Sequence, residues 1–263
     1  MTLPTFLRVV LMSALLGATL PAEAQSNPAS AGPADPKLIE DLVAANRILA
    51  KEGVLDGYGH VSVRHNRNPN RYLMSRYVPP ALVVVEDIAE YDLDSNPVNP
   101  KTASYSERFI HGEIYKTRPD VKAVVHNHSP SLIPFGITGT PLKPTYHMSA
   151  FVGQGVPVFE IRSAAGMTDM LVRNPALGQA LASALGDHPA VLMRGHGAVV
   201  VGPTLPLVVG RSVYLEINAR VQMQATALGG NPTFLDPEEV HKVEERQDYK
   251  RAWELWKRSA MAK

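Results

Sequence analysis

The chain has 263 residues, 45% of them hydrophobic and 19% charged, enough to enclose the core of one sizeable domain. A net charge of +1 gives no electrostatic basis for binding nucleic acid or an anionic membrane surface. Without cysteine there is no disulfide, thiolate metal site or cysteine nucleophile. Any metal ligands are then His, Asp or Glu, a donor set for hard or borderline divalent ions.

Residues 1–24 have the form of an export signal. An Arg-bearing start, Met1 to Arg8, precedes the apolar run Val9 to Leu20, which is too short to span a bilayer. Ala22-Glu23-Ala24 is an A-x-A cleavage site. Cleavage after Ala24 would put the mature protein, beginning at Gln25, in the periplasm or outside the cell, with no membrane attachment. Residues 25–36, rich in Ser, Asn, Pro, Ala and Gly, read as a flexible leader. Residues 37–263 show no internal repeat and no linker, and read as one domain.

Within that domain, Leu38, Ile39, Leu42, Val43, Ile48 and Leu49 recur at helical spacing over Lys37 to Lys51, with Gly53 closing the helix. A turn at Gly57-Tyr58-Gly59 leads into a strand through Arg64. Arg71 to Met74 and Leu82 to Val85 are short strand candidates, and Tyr91 to Pro97 a strand ending in a turn. A helix is predicted from Ser106 to Tyr115, with Phe109, Ile110 and Ile114 inward, and Arg118-Pro119-Asp120 breaks it. Ala123 to His128 is a strand, and Pro130 to Pro134 opens a helix. Val156 to Ile161 is a strand, and Thr168 to Leu185 is a helix interrupted at Asn174-Pro175. Val191 to Val201 reads as one strand with Gly195 and Gly197 inside it. Two helices follow, Leu205 to Leu228 and the amphipathic Pro237 to Lys257. The mixture gives an α/β or α+β domain.

The chemistry concentrates at His126-Asn127-His128. In a strand, residues i and i+2 share a face, so the two imidazoles can grip one metal ion. The alternative is a pair of polar residues at a strand end. His196 lies in Gly195-His196-Gly197, where the glycines permit either a close backbone approach to a shared site or a tight turn. Glu107, at the start of a helix after Ser106, is either a carboxylate favoured by the helix dipole or a metal-adjacent general base. Three histidines and one acid make the composition of a catalytic divalent-metal site.

Ser106-Glu107, then Arg118-Pro119-Asp120 with Ala123-Val124-Val125-His126-Asn127-His128-Ser129, then Arg194-Gly195-His196-Gly197-Ala198 resemble the class II aldolase/adducin family, in the family's order and spacing. The resemblance runs from about Leu38 to Ala227. It implies a three-layer α/β/α sandwich in a single domain and a homotetramer with sites at subunit boundaries. It also implies a divalent metal, usually Zn2+, with Mn2+ or Fe2+ as other choices. His126, His128 and His196 would be the ligands, and Glu107 the acid/base carboxylate.

The departures from sugar-phosphate members are informative. Gly59-His60-Val61-Ser62 carries His60 where those members have Asn, and Met74-Ser75-Arg76-Tyr77 replaces small turn residues. Tyr105-Ser106-Glu107 places Tyr105 where they carry a serine. A phosphate cradle needs small residues that expose backbone N–H groups, whereas Arg76 suits a carboxylate and Tyr77 an aromatic surface. His60, Ser62, Arg76, Tyr77, Tyr105 and Ser106 are therefore candidate substrate-binding residues. His147, in Thr145-Tyr146-His147-Met148, falls where phosphate aldolases carry a tyrosine proton donor and is a candidate acid/base. These substitutions resemble the dihydroxyphthalate decarboxylase-like branch. The expected activity is a metal-dependent carbon–carbon lyase, decarboxylating a dihydroxy aromatic acid. Alternatives are an aldolase for a non-phosphorylated hydroxy or keto acid or sugar, a non-haem iron oxygenase, and a non-catalytic adducin-like module.

Overall fold

The computed structural model describes Met1 and residues 27–262, so the proposed export signal and its cleavage site lie outside the described residues. Among the described residues seven strands form one sheet: β1 (His60–Arg64), β2 (Arg71–Ser75), β3 (Ile88–Asp92), β4 (Ala123–Asn127), β5 (Val158–Phe159), β6 (Ala190–Met193) and β7 (Gly197–Gly202). Their order is β3-β2-β1-β4-β7-β6-β5. Every pairing is antiparallel except the parallel contact of β5 with β6.

Side-chain alternation explains the layers. Val61, Val63, Ala123, Val125, Ala198 and Val200 point to one face. There they meet α1 (Pro36–Lys51), α6 (Leu205–Ala227) and α8 (Lys250–Met261) through Leu42, Ile48, Val208, Val213 and Trp253. Tyr72, Met74, Val124, Val191 and Val199 point to the other face, against α2 (Phe109–Thr117) and α5 (Pro175–Leu185) through Ile110, Ile114, Leu181 and Leu185. The result is the three-layer α/β/α sandwich expected. His60, Ser62 and His126 share the α2 face by the same alternation, so polar groups lie among these apolar neighbours.

The shorter helices are α3 (Ile133–Thr138), α4 (Ile161–Ala165) and α7 (Pro237–Glu244). Among the described residues no helix is long and apolar enough to cross a membrane. Within the proposed leader, the Ser30 hydroxyl and the Ala31 N–H donate to Glu90 at 2.6 and 2.7 Å, which ties this segment to the β3 edge.

Four expectations are corrected. Val191–Val201 is two antiparallel strands, because Arg194-Gly195-His196 reverses the chain and Gly195 takes the left-handed conformation at φ 63°. Leu82–Val85 forms no strand; single turns of 3-10 helix, Pro80–Leu82 and Val85–Asp87, take up its two ends. Residues 168–173 are not helical, and the helix begins at Pro175 behind the Asn174 cap. Pro237–Lys257 breaks between α7 and α8, where Tyr249 adopts φ 53° and the chain changes direction.

Candidate metal centre

The fold delivers four ligand groups to one end of the sheet. His126 is the penultimate residue of β4, and His128 lies one residue beyond that strand. His196 sits in the turn between β6 and β7, beside β4. Glu107 comes from the turn leading into α2, the helix that covers the His126 face. One ligand atom from each of Glu107, His126, His128 and His196 lies within 4.8 Å of the others. The Glu107 Oε2 is 3.5 Å from the Nε2 atoms of both His126 and His196, and the His128 and His196 Nε2 atoms are 3.2 Å apart.

Hydrogen bonding fixes which ring nitrogen is free. His126 Nδ1 pairs with the Ala198 carbonyl at 3.2 Å, and His196 Nδ1 with the Met170 carbonyl at 3.1 Å. His128 Nδ1 faces the Asp56 carboxylate at 3.2 Å. None of these acceptors has a proton to give, so each Nδ1 carries the hydrogen and each Nε2 presents a lone pair to the common point. The His126 Nε2 is buried and has no hydrogen-bond partner. An orphaned buried nitrogen is costly, and a divalent cation resolves that cost. The residues present fit such an ion.

The electrostatics agree. Burial and the neighbouring His126 depress His196 to about 4, and the same two influences lower His128 against the opposing pull of Asp56. Both are neutral imidazoles at pH 7, the form a metal ion binds. Burial raises the Glu107 carboxyl, but His126, His196 and the Val172 N–H outweigh it and bring it to about 2. Glu107 Oε1 accepts that N–H at 2.9 Å, which leaves Oε2 toward the cluster.

A cavity of about 610 Å³ opens over the cluster, within the range of small-molecule sites. Of the expected substrate-binding residues, His60, Tyr77, Tyr105 and Ser106 line it. Ser62 does not; it is fully buried behind His60. Arg76 does not line it either, since its guanidinium turns to Asp87, donating to Oδ1 at 2.8 Å. His147 is exposed at the start of a 3-10 segment, away from the cavity of its own chain.

Other residues escaped the sequence reading. Tyr58, Asp169, Leu171 and Arg173 also line the cavity, where the Arg173 guanidinium pairs with Asp169 at 2.5 Å. Asp56 orients His128, and the Asp-Gly turn ahead of β1 was its only signal. His111, on the inner face of α2, belongs to a buried polar chain. Its Nε2 lies 2.7 Å from His60 Nδ1 and its Nδ1 2.6 Å from the Ser62 hydroxyl. Nothing in its flanking sequence distinguishes it from a core histidine.

The profile of the Class II Aldolase and Adducin N-terminal domain matches residues 40–223. The decarboxylase tropJ of Talaromyces stipitatus is 37% identical over 246 residues, covering 84% of this chain and 92% of that protein. The 3,4-dihydroxyphthalate decarboxylase of Arthrobacter keyseri is 32% identical over 207 residues, covering 73% and 79%. Among solved structures, the L-fuculose 1-phosphate aldolase of Glaciozyma antarctica superposes with a TM-score of 0.68 at 25% identity, covering 85% of this chain and 86% of the other. An aldolase II superfamily protein from Pseudomonas syringae superposes with a TM-score of 0.71 at 23% identity, covering 86% and 94%.

Proposed function

Because the chain belongs to the class II aldolase and adducin family and is a lyase by its decarboxylase and aldolase relatives, we propose that it is a divalent-metal-dependent decarboxylase of a dihydroxy aromatic acid. The observation that carries the reading is the convergence of three imidazole lone pairs and the Glu107 carboxylate at the floor of a tyrosine-lined cavity. His126, His128 and His196 would hold the ion, with Zn2+ favoured by three imidazole ligands that leave a position open for substrate. When bound, the ion supplies a Lewis-acid sink for the electron pair left as the carbon–carbon bond breaks.

The protein's own groups do the rest. Tyr58, Tyr77 and Tyr105 offer flat, apolar faces to an aromatic ring. Arg173 pairs with Asp169 and is half-exposed at the cavity, placed to attract a carboxylate. Glu107 takes a proton from a substrate hydroxyl and returns it to the ring carbon vacated by carbon dioxide. The Val172 N–H holds the other Glu107 oxygen and so fixes the direction in which this proton moves. The proposal extends to a homotetramer, which would bring an exposed His147 near another chain's cavity, and to export through residues 1–24.

The test is metal analysis of the purified protein, then incubation with 3,4-dihydroxyphthalate and dihydroxybenzoates. Carbon dioxide matching substrate loss supports decarboxylation. An aldehyde or ketone fragment from hydroxy or keto acids establishes aldol cleavage instead.

A further inference from the structure

The polar chain behind the cavity has a direction. It runs from the cavity-lining His60 through His111 and Ser62 to Tyr115, with successive separations of 2.7, 2.6 and 2.8 Å. All four members are buried, between β1 and α2. Such a chain has two possible polarities, and its far end decides between them. The Tyr115 hydroxyl has two acceptors in reach, the Ser62 hydroxyl at 2.8 Å and the Lys122 carbonyl at 3.4 Å. The Lys122 carbonyl already accepts the Arg64 N–H at 2.7 Å, and its second lone pair meets the phenol only at a long 3.4 Å, against 2.8 Å to Ser62. A phenol is also a better donor than an alkanol. Tyr115 therefore donates to Ser62.

The remaining assignments follow from counting protons. A serine hydroxyl has one proton to give, and with Tyr115 occupying its acceptor side it gives that proton to His111 Nδ1. His111 is then protonated on Nε2 and donates to His60 Nδ1. His60 in turn carries its hydrogen on Nε2, the nitrogen with no hydrogen-bond partner among the described residues. The Arg64 guanidinium lies 4.6 Å over the Tyr115 ring and donates to the Tyr115 carbonyl, holding the far end in place.

The geometry points to His60 as a neutral hydrogen-bond donor to an anionic oxygen of the substrate, with His111, Ser62 and Tyr115 as positioning residues that fix its Nε2–H tautomer. This deepens the lyase reading and rests on it for the identity of the ligand. The tautomer itself rests only on the buried chain. His60 pairs in register with the ligand His126 across β1 and β4. Its N–H therefore reaches the cavity beside the cluster, where a carboxylate or phenolate oxygen would lie. A neutral donor there adds no charge to compete with the ion, and its direction is set before substrate arrives.

The test reads the tautomer directly. Long-range nitrogen–proton spectra of histidine-labelled, zinc-loaded protein are expected to show His60 protonated at Nε2 and His111 at Nε2. His60 protonated at Nδ1 would overturn the inference. In Ser62→Ala, which removes one hydroxyl and little volume, the fixed tautomer should become a mixture. The affinity for 3,4-dihydroxybenzoate should also fall about tenfold at unchanged zinc content, the loss expected for a hydrogen bond to a charged group. His111→Phe should lose at least as much. Unchanged tautomers and unchanged affinity in both variants would overturn the assignment of positioning roles. The spectra can be read with or without zinc. A protein that takes up no metal therefore sinks the lyase reading and leaves the tautomer question answered.

Discussion

At the scale of single residues, the proposed site separates ligation from proton transfer. His196 offers one lone pair to the cluster, and its other ring nitrogen pairs with the Met170 carbonyl rather than with a β4 residue, so His196→Ala removes a candidate ligand while leaving the hydrogen bonds behind His126 and His128 in place. That variant is expected to lose metal and activity together, and full metal occupancy by elemental analysis would sink the ligand assignment. Glu107→Gln keeps the shape and the Val172 contact but cannot carry the proton. Turnover should fall by about 10²- to 10⁴-fold, while metal content stays near that of the unaltered protein. Asp56 acts one step further out. It fixes the tautomer of His128 and also accepts the Tyr58 N–H at 2.8 Å. Asp56→Asn should weaken metal affinity by about 10- to 100-fold, the usual cost of losing a carboxylate behind a ligating imidazole. Titration with a competing chelator would measure it.

At the scale of elements, the β6–β7 hairpin places His196. A Cβ on Gly197 would stand 2.0 Å from the Asn127 carbonyl, so only glycine lets β7 approach β4 between the two ligand histidines. Gly197→Ala is expected to cost about 1–3 kcal/mol, the range for forcing atoms into a packed site, and to lower metal affinity with it. Chemical denaturation and metal analysis would show the two losses together, and stability loss with full affinity would refute the link. This hairpin also shows where sequence reading stops. Ala190 to Met193 and Gly197 to Gly202 are both apolar and strand-forming, so alternation continues across the turn and hides the reversal. A glycine inside a strand and a glycine in a left-handed turn look alike in sequence. By contrast, α1, α6, the His-x-His strand and the helix after Ser106 were legible, because their periodicity or chain-breaking residues are local. Arg76 was misplaced for the opposite reason. Its residue type suited a carboxylate, but Asp87, eleven positions away, claims its guanidinium.

At the scale of the molecule, the cavity gathers residues 58–60, 77, 105–107, 128, 169–173 and 195–196 from six separate stretches of chain, which only the sheet order brings to one end. The family motifs marked three of these stretches. The 169–173 wall has no motif of its own and became visible only in three dimensions. The same assembly buries two histidines, His60 and His111, in contact on the α2 face, and this has a consequence for the stability of the whole fold. Burial, reinforced by His126, holds His111 at about 3, against an ordinary 6.5. Burial, with neighbouring histidines adding to it, lowers His60 far in the same direction. Above pH 6.5 both the folded and the unfolded chain leave these rings neutral, and neither contributes a penalty. Below 6.5 the unfolded chain takes up protons that the folded chain refuses, so stability falls as pH falls and keeps falling until about pH 3. Each such ring contributes a slope of about 1.4 kcal/mol per pH unit. His111→Phe removes one of them. Urea denaturation at pH 6.5, 5.5 and 4.5 should therefore show a shallower loss of stability in the variant, by about one proton's worth, whatever its absolute stability. Metal binding adds the same proton dependence to both proteins and cancels in the comparison. Parallel pH slopes would mean that His111 is protonated in the folded state and that the buried chain is not held neutral.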